Sequence, residues 1–194
     1  MKTSIKIFML LAIVTLGFSA CSKDDEPTVT YTEVNPLNEF LTKTGFNQYA
    51  VASTFNTPRE YGFIFSPKNK GVIKSFVYNT PKGTTAVRVT LWDADTQTVL
   101  ISTALQPLGS YVQTELSLAT PFQLTANKNY AVTVNSDSWY IRQTSGVAVA
   151  NYPVETDEIN ILDCGYKTGT AQVYPDTFLG NTYFGDISFK FQRN

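Results

Sequence analysis

Val87-Arg88-Val89-Thr90-Leu91-Trp92-Asp93 decides the fold. Val87, Val89 and Leu91 alternate with Arg88 and Thr90, a period of two that places the apolar row on one face of a half-buried strand. Asp93-Ala94-Asp95-Thr96 follows and has turn composition. Val99 and Ile101 then alternate with Thr98, Leu100 and Ser102. The same period recurs in both directions along the chain: Val112, Thr114, Leu116 and Leu118; Tyr130, Val132 and Val134; Ile187, Phe189 and Phe191. Strands are also predicted over 61–66, 72–78 and 139–143, with a final strand over 183–192. Turn compositions at 67–71, 81–83, 107–109 and 126–129 separate them. Many short strands at this spacing predict an all-β fold, an antiparallel β-sandwich that is jelly-roll-like. One wet face per sheet accounts for the alternation.

A 3.6-residue period occurs once, in Asn35-Pro36-Leu37-Asn38-Glu39-Phe40-Leu41. Asn35 would cap a short helix or turn, Pro36 would take its first position, and Leu37, Phe40 and Leu41 would share a face. Residues 144–182 alternate poorly and are interrupted by Gly146, Gly165, Gly169 and Gly180. They read as a long loop region with one short strand near 159–162, and long loops are often functional.

Residues 1–20 read as an address. Lys2 and Lys6 precede a 12-residue apolar run, Ile7 to Phe18, which ends in Ser19-Ala20-Cys21. The run is shorter than the ~20 residues of a membrane span. The stretch Leu16-Gly17-Phe18-Ser19-Ala20-Cys21 resembles the lipobox of bacterial lipoproteins, with Phe18 where that motif has leucine. The resemblance implies removal of 1–20, acylation of Cys21 and membrane attachment through that anchor. The chain from Cys21 onward carries 13 basic and 16 acidic side chains.

Residues 21–35 form a polar tether, and 36–194 a single domain. Ser22-Lys23-Asp24-Asp25-Glu26 reads as a solvated linker. It is also similar to the acidic cluster that, in one lineage of Gram-negative bacteria, sends lipoproteins to the outer face of the outer membrane. The implied location is the outer membrane, facing the cell exterior.

The text Tyr61-Gly62-Phe63-Ile64-Phe65-Ser66-Pro67, Val89-Thr90-Leu91-Trp92-Asp93, Leu124-Thr125-Ala126 and Asn129-Tyr130-Ala131-Val132 resembles a domain-of-unknown-function family of bacterial extracellular β-sandwich modules. The resemblance covers about 60–142 plus the last strand. It implies a jelly-roll-like module attached to surface proteins and sugar-acting enzymes, with no catalytic residues to carry over.

Composition excludes several chemistries. The chain of 194 residues has no histidine, which removes Ser-His-Asp and Cys-His sites and every His-ligated metal. Two cysteines are too few for a cysteine-ligated zinc or iron–sulfur site. Fifteen basic against 16 acidic residues give no basic excess for nucleic acid. Cys164 has no histidine to activate it and reads as a buried, inert thiol. Asp186 alternates with Ile187 and Phe189 and reads as facing water. Asp93 and Asp95 are weak candidates for a structural calcium, since two aspartates are a third of its oxygen shell and aspartate equally favours turns. No other cofactor is expected.

The expected function is a non-enzymatic surface module that binds glycan or another extracellular partner. The alternative is a structural or adhesive component of a surface assembly, with no small-molecule site. Sugar recognition uses flat aromatic faces and a few polar groups, which makes Trp139, Tyr140, Arg142, Tyr166 and Tyr174 the candidate ligand-binding residues. For any one of them a core or loop-packing role is the favoured reading, and Trp92 reads as structural. The anchor reading is testable: Cys21→Ala should abolish labelling by a fatty-acid probe and release the protein from the membrane fraction. Unchanged labelling would refute lipidation at Cys21.

Overall fold

The computed structural model describes residues 30–46, 49–83, 85–143, 152–180, 183 and 185–194. Cys21 and the acidic cluster 24–26 lie outside the described residues. From residue 30 the chain runs beside the C-terminal strand, where Val34 and Phe191 exchange two backbone hydrogen bonds of 2.8 and 2.9 Å. Helix α1 (Pro36–Thr44) then begins as its sequence dictates. The Asn35 side chain accepts from the Leu37 N–H at 3.1 Å, and Pro36 occupies the first turn. Gly45 ends the helix at φ 76°, a left-handed C-cap, and its N–H donates to the Leu41 carbonyl. Leu37, Phe40 and Leu41 are buried.

Ten strands follow: β1 (Tyr49–Pro67), β2 (Gly71–Asn79), β3 (Val87–Asp93), β4 (Thr98–Leu105), β5 (Thr114–Leu124), β6 (Tyr130–Gln143), β7 (Val154–Glu155), β8 (Ile159–Thr168), β9 (Thr177–Phe178) and β10 (Asp186–Arg193). They form two antiparallel sheets. The large one has the order β4-β3-β6-β1-β8-β7, with β9 also beside β8, and the small one has the order β10-β2-β5. The chain crosses between the sheets at β1–β2, β2–β3, β4–β5, β5–β6 and before β10, a jelly-roll-like sandwich. The period-two rows supply the core between them. Phe63 and Phe65 of β1 meet Phe189 of β10, with ring centroids 6.1 and 4.6 Å apart. Leu91, Val132 and Ile161 complete the inner face of the large sheet.

Several strands are longer than the alternation predicts. The segments 130–134 and 139–143 are one strand, β6, and 61–66 is the second half of β1. A single irregularity hides both: Thr54 pairs with Ser138 and Arg59 with Ser136, so residues 55–58 bulge out opposite Asp137. β8 runs for ten residues rather than four, because its inner face carries Cys164 and Tyr166 beside glycine rather than a regular apolar row. Cys164 is buried and its thiol donates to the Leu179 carbonyl at 3.1 Å.

β1 lies between β6 and β8. A Cβ at Gly62 would stand 1.9 Å from the Val132 carbonyl oxygen, inside the β1–β6 ladder. Glycine is required there for close approach of the backbones rather than for a special φ. Gly62→Ala should therefore cost about 1–3 kcal/mol and lower Tm by roughly 2–12 °C. A thermal melt checks this; an unchanged Tm would mean that β1 and β6 can separate locally at no cost.

Candidate functional site

The bulge at 55–58 raises Phe55 onto the ring of Trp139, with centroids 4.3 Å apart and planes 14° apart. Trp139 also packs on Tyr61 at 4.5 Å and is only 8% exposed. Arg59 follows directly. Its guanidinium carbon lies 4.0 Å from the Phe55 centroid, 4.5 Å from Tyr166 and 5.4 Å from Trp139. Such contacts attract a cation to the negative face of each ring. Trp139 and Tyr166, chosen from sequence as stacking platforms, are thus brought together, but an arginine of the same chain covers them.

Tyr140 and Arg142 lie two strand positions apart on β6 and are both engaged with the interior. Arg142 grips Asp186 bidentately, Nε to Oδ1 at 2.9 Å and Nη2 to Oδ2 at 2.6 Å. The Tyr183 hydroxyl also donates to Asp186, and Asn79 donates to it at 3.2 Å. Asp186 is 2% exposed, which corrects the expectation of a wet face. The alternation of β10 is right, but its first residues are covered on both sides, and Arg142 compensates the charge. The hydrogen bonds to Asp186 in turn hold the Arg142 guanidinium protonated well above its ordinary range.

The Tyr61 and Tyr78 hydroxyls lie 2.8 Å apart and 3.3 and 3.2 Å from the Ser138 carbonyl, so one phenol donates to the other and the second donates to that carbonyl. Burial pushes both phenols up. The Tyr140 hydroxyl, by contrast, is buried without a partner, although the ring of exposed Tyr111 packs 5.6 Å away. Arg59 Nε, Asn79 Oδ1 and Ser138 Oγ are likewise buried without a partner. Four of the six such atoms among the described residues therefore gather at this one end of the sandwich. Unsatisfied buried polar atoms are rare enough in native folds to call for an explanation.

Tyr174 lies elsewhere. It packs edge-on against Trp92, centroids 5.7 Å apart, on the outer face of the large sheet. The Trp92 indole N–H donates to Thr133 Oγ1 at 2.8 Å, so Trp92 is structural, as its sequence context suggests. Asp93 closes the β3–β4 turn: its Oδ1 accepts the N–H groups of Asp95 and Thr96, and its Oδ2 pairs with Lys128 at 2.6 Å. The Lys128 hydrogen bond draws the Asp93 carboxyl below the usual range. Asp95 accepts from Asn129 at 3.1 Å. Both candidate calcium ligands are engaged with chain atoms, and no group of three or more metal-ligating side chains occurs among the described residues.

Beside Arg59, at the same end, is a cleft of about 210 Å³. Pro58, Thr85, Val87, Asn135 and Ser136 line it, and the Lys82–Asp137 pair, 2.6 Å apart, stands at its edge. Drug-sized sites span ~300–1,000 Å³, so this volume suits one small ring or side chain. Its hydroxyl, amide, ammonium and carboxylate groups can donate and accept hydrogen bonds. Phe55, Arg59 and this cleft escaped sequence reading because the bulge creates them. Only the second half of β1 reads as a strand, so the sequence offers no signal for the bulge.

The raised phenols predict loss of stability in alkali. Burial pushes Tyr140 up to about 12, and burial also pushes Tyr174 up to about 12. Between an unfolded value of ~10 and the folded value, the unfolded state loses its proton first, so stability is full below pH ~10 and falls above it. Tyr140→Phe should make that fall shallower. At pH 7 it should leave Tm unchanged or higher, because the lost hydroxyl has no partner. Melts from pH 7 to 12 check both; a lower Tm for the variant at pH 7 would contradict the orphaned hydroxyl.

No curated protein matches the chain. The resemblance read over 60–142 does hold at the level of a domain-of-unknown-function module. Residues 47–184, which include the bulge, Arg59, the cleft and Arg142 and end just before Asp186, match the model described as Domain of unknown function (DUF4082), and the chain belongs to that family.

Proposed function

We propose that the protein is a non-enzymatic lipoprotein module, anchored through Cys21 to the outer membrane and facing the cell exterior, that binds glycan at the bulged end of the sandwich. The observation that carries this reading is the cleft of about 210 Å³, lined by both apolar and hydrogen-bonding groups, beside a cluster of unsatisfied buried polar atoms. A rigid sheet scaffold holds the residues, and irregular backbone between strands supplies the recognition surface. The N-terminal lipobox-like text and the acidic cluster support the location.

A second reading rests on Leu108, Tyr111 and Val112, which are 76%, 69% and 45% exposed on the β4–β5 connection. Exposed apolar residues grouped this way favour contact with a protein partner in a surface assembly.

A glycan array probed with the full chain in mild detergent separates the two. The glycan reading expects specific binding that Asp137→Ala weakens by about tenfold. The exposed Lys82–Asp137 pair contributes little to stability, so Tm should stay nearly constant. Absence of binding to every saccharide would refute the glycan reading and leave the assembly reading.

A further inference from the structure

Three of the chain's four arginines hold a carboxylate: Arg88 pairs with Glu60, Arg142 with Asp186 and Arg193 with Glu158. Arg59 holds none among the described residues. Outside the described side chains, the sequence has carboxylates only at Asp24, Asp25 and Glu26 of the N-terminal tether. The Arg59 guanidinium meets three aromatic rings instead, and its Nε is buried without a hydrogen-bond partner. Rings take the faces of the cation and leave its edge donors unused. They also fix the plane of the group and shed water from it, and a guanidinium edge matches an oxyanion with two parallel hydrogen bonds.

We infer that Arg59 is the anion-recognition residue of this end of the sandwich and that the ligand is a saccharide bearing an oxyanion, carboxylate or sulfate. The inference rests on the glycan reading above and narrows it to acidic sugars. Phe55, Trp139 and Tyr166 act as positioning residues that hold the guanidinium. Pro58, which precedes Arg59, lines the neighbouring cleft, so a sugar seated in the cleft has the arginine next to it in the chain. Arg142, whose fork is closed on Asp186, has no such role.

The test is an array of matched saccharides in carboxylated, sulfated and neutral forms, probed with the full chain in mild detergent. The wild type should prefer an acidic form over its neutral counterpart by about tenfold or more. Added salt should narrow that gap. The carboxylated and sulfated arms identify which oxyanion is taken. Arg59→Gln should erase the preference, bringing the acidic forms down to the affinity of their neutral counterparts in the same variant. Arg59→Lys keeps the charge without the planar fork and should retain part of the preference, which preserves the test if the glutamine variant does not fold. Equal affinity for acidic and neutral forms, or an undiminished preference in Arg59→Gln, overturns the inference and leaves glycan binding standing. No binding to any saccharide overturns both.

Discussion

Glu60 is a fully buried carboxylate on the outer face of a β-sheet, and much of the architecture answers to it. An uncompensated charge there would be costly by several kcal/mol. Arg88 Nη2 meets Oε2 at 2.6 Å, and Thr133 Oγ1 donates to Oε1 at 2.5 Å. Trp92 then donates to Thr133, and Arg88 reaches the Thr170 carbonyl at 3.1 Å. Asn135 donates to the Gly169 carbonyl, and Gln172 to Thr90 and Ser102. The segment 169–174 is thereby laid over the sheet as a cover, with Tyr174 against Trp92. A sheet face that alternation marks as wet is instead a closed polar layer joining β1, β3 and β6.

That layer fixes the middle of β1, and its two ends then behave differently. Towards Pro67 the strand is regular and supplies Phe63 and Phe65 to the core. Gly62 lets the backbone of β6 approach there without a side chain between them. Towards Tyr49 the strand must accommodate four residues against one, three more than the partner strand supplies, and they leave the sheet. Phe55 and Arg59 flank this departure. The cleft and the aromatic box are thus a by-product of register: the same pairing that holds β1 in the sheet forces the bulge that carries them.

The sandwich was legible because most strands keep period two, and α1 was legible because Asn35, Pro36 and the Leu37–Phe40–Leu41 face agree with one another. The bulge was not legible. Nothing in Phe55-Asn56-Thr57-Pro58 specifies that four residues will face one across a strand pair, since that count is set by the partner strand. Asp186 was misplaced for a related reason. Alternation assigns a residue to a face, but whether that face is wet depends on what the remote Arg142 and Tyr183 bring to it. Trp139, Tyr140 and Tyr174, singled out as candidate ligand-binding aromatics, are buried by contacts far away in sequence. The masking of a polar sheet face by 169–174 could not be read locally either.

The contrast between Arg142 and Arg59 shows what sequence leaves undetermined about a binding residue. Both are arginines on neighbouring strands near aromatic side chains, and both have the same five donors. Arg142 faces a buried aspartate, so releasing it to meet a ligand would leave Asp186 uncompensated, a loss of about 3–5 kcal/mol that few exposed contacts could offset. Arg59 faces rings, which stabilise its charge by about 0.5–2 kcal/mol per contact without occupying a donor. A ligand oxyanion therefore adds to the existing interactions of Arg59 but would have to displace those of Arg142. The environment, not the residue type, decides which of the two can recognise anything, and that environment is assembled by the bulge in β1.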